Sequence, residues 1–509
     1  MERLPDELLV LIARFAVDSS PSRAAYGLGS VSRRTRAIVK LALAAGHSTP
    51  TSAGSWLRVS GCASLVACLD SFRDAPSVSV EAQVTARTLA VALTRKTPTR
   101  LANLCVGAVI SRSARDAARL MRALAKLELR SLDITMTITN GIGMLSSLRK
   151  LTLFASETRT LACVTRLTRL CDLELASCHA LVDVAHITSL VSLTRLAVSY
   201  CSRLIEVAPI GAVASLTDVS ISSVSARIAN IATLTSLGSL RHLRVRRALV
   251  SADTIARITT LESLAVQRTL LGSADVGPFT SLRRLATLEY DGDRFDGRRV
   301  VPRGLDGLVF LSVLRLIRCD VPDGLERVAS LPRLTELHCS EIHQMRVARI
   351  HALTQLRALS FSRCHELADA SAVSALVELR SLTVTSCASL RDLTHITGLV
   401  RLESVDISCD APNDLAAFER LTNLCRLSVN VVSGIRGIRG ADTLAALSSL
   451  TELRVGSVAA LTEDRADSVL VAFVSGTRIQ SVSLNGYTDA ELRERVARLS
   501  PDSRPALSL

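Results

Sequence analysis

The chain has 509 residues, 48% of them hydrophobic with a mean hydropathy of +0.33, which excludes disorder throughout and suits several domains or one repeat array. No stretch reaches the roughly 18 unbroken apolar residues of a membrane helix, since Arg14 interrupts the best one, Leu8 to Val17. The formal charge of +14 is spread along the chain as arginine, and only 3% of residues are aromatic, which argues against a nucleic-acid stacking platform.

Met1 to Asp6 lack the charged region, long apolar core and small-residue cleavage site of a secretory signal, so a cytoplasmic or nuclear chain is expected. Residues 1–45 read as a small helical unit. Leu4, Pro5, Asp6 and Glu7 make a helix start, with Pro near the first helical position and two carboxylates at the positive end of the dipole. Leu8, Leu11, Ile12 and Phe15 then form one apolar stripe. A second stripe, Leu28, Val31, Thr35 and Ile38, lies on a basic helix with Arg33, Arg34 and Arg36. Two short amphipathic helices cannot bury both faces alone, so they need a partner or the end of a larger body.

This stretch resembles an F-box, through Leu4-Pro5-Asp6-Glu7-Leu8-Leu9-Val10-Leu11-Ile12 and then Leu28-Gly29-Ser30-Val31-Ser32-Arg33-Arg34, with Thr35 where that family usually has Trp. The resemblance implies that Leu4, Pro5, Leu8, Ile12, Leu28 and Val31 dock on the Skp-type adaptor of a cullin ubiquitin ligase. The residues themselves also fit a helical cap shielding the first repeat of an array.

Residues 46–125 read as a degenerate transition. Trp56 to Leu65 looks like one stray repeat, followed by helix-like runs of Ala, Arg and Leu broken at Pro76 and Pro98. Residues 126–485 carry the strongest signal. The pattern Leu-x-x-Leu-x-apolar starts at Leu148, Leu170, Leu193, Leu216, Leu240, Leu261, Leu285, Leu311, Leu334, Leu356, Leu379, Leu402 and Leu424, a period of about 23 residues. In Leu193, Leu196 and Val198 the last positions alternate with period two, which describes a short strand buried on one face. The return half, with Leu204, Val207, Ile210 and Val213 spaced by threes around Pro209, suits a tight helical turn. One such unit cannot fold alone, because ordering costs about 1–2 kcal/mol per residue while a buried Leu returns about 1.5–3 kcal/mol. Stacked units supply the burial and make a solenoid with a curved parallel sheet. Residues 486–509 read as a C-terminal helical cap, with Asp489 at its start and Arg498 near its end.

The repeats resemble leucine-rich repeat proteins with units of about 22 to 24 residues, over roughly Leu129 to Leu484. That family places Asn or Cys after the strand, a position met here by Cys178, Cys201, Cys319, Cys364 and Cys387, while Cys339 and Cys409 fall out of register. A buried thiol there fills a small apolar space and offers a weak hydrogen bond to the turn. The fold class expected is therefore α/β, a leucine-rich repeat solenoid with short helical or irregular returns and an F-box-like unit in front.

Chemistry is sparse. The 13 cysteines are an odd number with no Cys-x-x-Cys pair, so reduced thiols are expected and not a disulfide framework. Gly434, Gly437 and Gly440 are spaced by threes with no lysine downstream, which fits neither nucleotide fingerprint. Cys178-His179 and Cys364-His365 recur because the repeat recurs, and stacked positions do not converge as four zinc ligands must. No metal, cofactor or catalytic residue is expected, and the chain is read as a non-enzyme. What remains is the outward strand face, with Arg195, His242, Arg244, Arg246, Glu289, Arg315 and His338 as candidate partner contacts. Arg244 and Arg246, two residues apart on one face, can grip one carboxylate or phosphate. The expected partners are an adaptor and cullin ligase with a protein target, without membrane or nucleic acid, the chain acting as a monomer within the complex. A free-standing scaffold or regulatory subunit, for example of a phosphatase, is the alternative.

Overall fold

In the computed structural model, the described residues are 57–59, 77–95, 101–110, 113–136, 141–154, 156–222, 231–247, 250–268, 276–292, 294–295, 298–299, 303–319, 325–342, 347, 349–390, 394–408, 418–431, 447–457, 481–484, 491 and 494. The expected F-box-like unit at 1–45 lies outside them, as does the C-terminal cap apart from Glu491 and Glu494. The chain divides into two units, 1–241 and 242–509.

In the first unit the strands run in parallel in chain order. They are β1 (Leu57–Val59), β2 (Ser77–Thr85), β3 (Asn103–Ile110), β4 (Ser131–Met136), β5 (Lys150–Phe154), β6 (Asp172–Ala176), β7 (Arg195–Ser199) and β8 (Asp218–Ser222). Two returns are long enough for α-helices. α1 (Ala86–Arg95) follows β2 and buries Leu89, Ala90 and Leu93, and α2 (Ala114–Leu124) follows β3 and buries Leu120, Met121 and Leu124. Ser113 caps α2 by accepting from the Asp116 amide at 3.2 Å, satisfying one of the orphan donors at a helix start. Among its described residues, the stretch 46–125 thus holds three strands and two helices.

The second unit repeats the rule. Its strands are β9 (His242–Arg246), β10 (Ser263–Gln267) and β11 (Thr287–Asp291), a two-stranded antiparallel aside of β12 (Arg294–Phe295) and β13 (Arg298–Arg299), and then β14 (Val313–Ile317) and β15 (Glu336–Ser340). They continue through β16 (Ala358–Ser362), β17 (Ser381–Thr385), β18 (Ser404–Ser408), β19 (Arg426–Val431), β20 (Glu452–Ser457) and β21 (Ser481–Leu484). A one-turn α3 (Ala252–Ala256) follows β9.

The register shows what the leucine spacing is for. In the first unit Leu132, Leu151, Leu173, Leu196 and Val219 are lateral partners, all fully buried. In the second, Leu243, Leu264, Leu288, Leu314, Leu337, Leu359, Leu382, Val405, Leu427 and Leu453 form the same ladder. Each unit is a leucine-rich repeat solenoid. The returns are mostly 3-10 turns, as at Ala208–Ala212, where Pro209 begins the turn and Val207, Ile210 and Val213 are buried. Three residues per turn put positions i and i+3 in line, so spacing by threes aims all of them at the leucines.

The cysteines after the strands behave as expected. The Cys201 thiol donates to the Leu175 carbonyl at 3.8 Å and the Ser199 carbonyl at 3.4 Å, and Cys364 reaches Cys339 and Ser362 carbonyls at 3.6 and 3.5 Å. Each thiol therefore ties its own strand end to the coil before it. Cys339 lies in the second inward ladder, between Leu316 and Phe361 in register, and burial pushes its thiol well above the ordinary range.

One residue past the strand end, Ser177, Tyr200, Arg247, Arg268, Arg318, Glu341, Arg363 and Ser386 all have φ between 48° and 55°. In this left-handed conformation the amide of residue 177 bonds to the Ser199 carbonyl at 2.8 Å, and that of residue 363 to Thr385 at 2.8 Å, extending the ladder past the strand. A left-handed residue with a side chain costs about 1–2 kcal/mol, while glycine loses about 0.5–1 kcal/mol through chain entropy. Ser177→Gly and Ser386→Gly should each raise the unfolding free energy by about 0.5–1 kcal/mol, measured by chemical denaturation. A loss of stability in both would show that these turns carry no strain.

Candidate functional site

Burying positions two and four of each strand forces positions one, three and five onto the opposite, open face. On β9 this turns out His242, Arg244 and Arg246 while Leu243 and Val245 are buried. The register then fixes the lateral neighbours. Arg244 lies beside Ala265, Glu289, Arg315 and His338 in that order, and Arg246 beside Gln267, Asp291 and Ile317. A third row comes from the residues just past the strand ends, left-handed Arg247, Arg268 and Arg318 after β9, β10 and β14, and Gly292, which is not left-handed, after β11. A side chain at 292 would approach the Arg318 carbonyl to 2.8 Å, so glycine is what the close turn admits.

The charges on this face are unevenly matched. Asp291, only 6% exposed, takes a hydrogen bond from the Arg318 guanidinium, and Gln267 donates to Glu289. Burial pushes the Asp291 carboxyl above the usual range, against the pull of Arg318 and Arg268. Glu341 is held by Arg363 at 3.1 Å, and Glu336 stands 3.6 Å from His338. Burial also lowers the basicity of His338, with the Arg315 charge beside it adding to the effect. The carboxylates are largely engaged inside the sheet. Among the described residues no carboxylate pairs with Arg244, Arg246, Arg247 or Arg315, and the buried Nε–H donors of Arg246 and Arg268 meet no acceptor.

Of the predicted contacts, His242, Arg244, Arg246, Glu289, Arg315 and His338 fall on one stretch of open face, β9 to β15. Arg195 lies on β7 of the first unit, 3.9 Å from Asp172. Leu4, Pro5, Leu8, Ile12, Leu28 and Val31 lie outside the described residues. Arg247, Arg268 and Arg318 each stand one residue past a strand end, outside the alternating positions from which the contacts were predicted. Farther along the second unit, Ser404, Asp406, Arg426, Ser428, Glu452 and Arg454 line a depression of about 280 Å³ with balanced charge. Among the described residues no group of three or more His, Cys, Asp and Glu could hold a metal, and no helix is long and apolar enough to cross a membrane.

The chain matches no family model and no curated protein. Solved structures do resemble it. A leucine-rich repeat protein from Leptospira interrogans is 18% identical with a TM-score of 0.49, the match covering 76% of this chain and 97% of that one. The internalin inlF from Listeria monocytogenes is 15% identical with a TM-score of 0.35, over 69% of this chain and 83% of that one. The functional domain of InlJ from the same organism, which includes a cysteine ladder, is 14% identical with a TM-score of 0.36, over 72% and 70%. The fold assignment rests on the strand register and leucine ladders of this chain.

His338 gives this face a pH signature. Its folded-state basicity lies below the ordinary value of 6.5, so the folded chain binds fewer protons than the unfolded one; the associated stability is full above pH 6.5 and drops as pH falls below it. Between about pH 7.5 and 5.5 the denaturation midpoint of wild type should fall further than that of His338→Gln. Parallel curves for the two proteins would dismiss the effect.

Proposed function

We propose that the chain acts by binding a protein on the open strand face and not by catalysis. The observation that carries this reading is the row of Arg244, Glu289, Arg315 and His338, set on register-locked strands whose spacing the leucine ladder dictates. Side chains fixed at strand spacing over many coils match a macromolecular surface, because neither pocket depth nor a convergent reactive pair is needed.

The finer reading joins the residues at the amino terminus to this face. We read Leu4, Pro5, Leu8, Ile12, Leu28 and Val31 as an F-box-like dock for a Skp-type adaptor, which makes the chain a substrate receptor of a cullin ubiquitin ligase in the cytoplasm or nucleus. The F-box-like motif and the scarcity of acceptor amines support it, since no lysine follows Lys150. The second reading is a free-standing scaffold or regulatory subunit whose amino-terminal helices only cap the array; Thr35 in the position of the usual Trp favours it.

A pull-down with the purified adaptor separates them. The ligase reading expects wild type to retain the adaptor and Leu8→Asp combined with Ile12→Asp to lose it. Equal retention, or none by wild type, rejects that reading. The scaffold reading then expects deletion of residues 1–45 to leave partner recovery intact and lower the thermal midpoint.

A further inference from the structure

We infer that the β9–β10 side of the open face is a docking site for an acidic peptide segment of the partner, gripped by Arg244, Arg246, Arg247 and Arg268. The inference rests on the reading of this face as a recognition surface and names what it recognises.

Three observations converge. The first is placement: Arg244 and Arg246 share one face of β9, about 6.6 Å apart along the strand, and Arg247 follows in the turn. Arg268 occupies the equivalent turn one strand over, about 4.8 Å away, and the Arg247 amide donates to the Gln267 carbonyl at 3.0 Å, tying the two turns together. The second is charge. Asp291 is committed to Arg318, and Glu289 accepts from Gln267, so Arg244, Arg246 and Arg247 keep unpaired positive charge. The third is unmet hydrogen bonding. The Nε–H groups of Arg246 and Arg268 are buried and meet no acceptor among the described residues, as is also true of the Arg318 Nε–H, and Asp291 Oδ1 meets no donor among them, although a buried polar group is nearly always paired.

The geometry selects the ligand class. An extended peptide repeats its side chains on one face about every 6.6 Å, so carboxylates at alternate positions match Arg244 and Arg246. Nucleic acid suits the surface less well. Tyr290 points inward at 4% exposure, so the β9–β11 face presents no Phe, Tyr or Trp ring and only the imidazole of His242, and Glu289 interrupts a basic track.

The test uses the full chain and two fluorescent peptides of equal length, one with Glu at alternate positions and one with Gln in their place, titrated by anisotropy at low and physiological salt. The Glu peptide should bind at least tenfold tighter, weaken with salt, and lose at least tenfold with Arg244→Gln plus Arg246→Gln. Arg426→Gln plus Arg454→Gln, on the charge-balanced depression, should change it less than twofold. Equal binding of both peptides, no binding of the Glu peptide, equal loss in both variants, or tighter binding of single-stranded DNA to the same arginines would overturn the inference. A photo-crosslinker at Ala265 and another at Glu326, on a return segment, keep the two levels apart. Protein adducts at 265 with no Glu-peptide binding sink only the acidic ligand, whereas adducts confined to 326 remove the open face as the recognition surface.

Discussion

Everything in both units depends on one constraint: alternate strand residues are locked into a parallel register by a ladder of fully buried leucines. A register slip of one residue would turn Leu337, Leu359 and Leu382 to water and bring His338, Ser360 and Thr383 into the core. At about 25 cal/mol for each Å² of apolar surface, no coil tolerates that exchange. The open face inherits the same precision. Arg244 stands beside Ala265, and Ala265 beside Glu289, because Leu243, Leu264 and Leu288 are stacked beneath them.

This explains how much was legible in the chain before any coordinates. Anchors at a period of about 23 residues are a strong signal because every coil solves the same burial problem in the same way. Spacing by threes in the return half likewise foretold the 3-10 turn at Ala208–Ala212. The five cysteines after the strands were legible for a similar reason, since all five fill buried space and the thiols of Cys178, Cys201, Cys364 and Cys387 reach the carbonyls of two successive coils. Six of the seven predicted face residues fall within one stretch of the second unit, which follows once strand positions are counted from the leucines.

The turn row was not legible, and the reason is physical. Left-handed φ is ordinarily announced by Gly or Asn, yet Arg247, Arg268, Arg318 and Arg363 adopt it here because the amide must bond forward to the next strand. Tertiary hydrogen bonding overrides local preference, and no local pattern records that. The same limit applies to Asp291. Its position at a strand end looked like that of any outward acid, and its near-complete burial arises from neighbours supplied by two other coils.

Asp291 shows why the arginines of this face are unequal. A buried ion pair is a weak stabiliser, because stripping water from both charges offsets most of their attraction. The raised carboxyl of Asp291, with Arg318 bound to it and Arg268 nearby, displays that cost directly. The pair's effect is therefore better described as positional. It fixes the Arg318 head over β11, whereas Arg244 and Arg246 on β9 and Arg247 in the turn after it have no such anchor and keep both their charge and their donors for whatever approaches the sheet. One buried carboxylate thus divides a row of chemically identical side chains into those spent on the fold and those left for recognition.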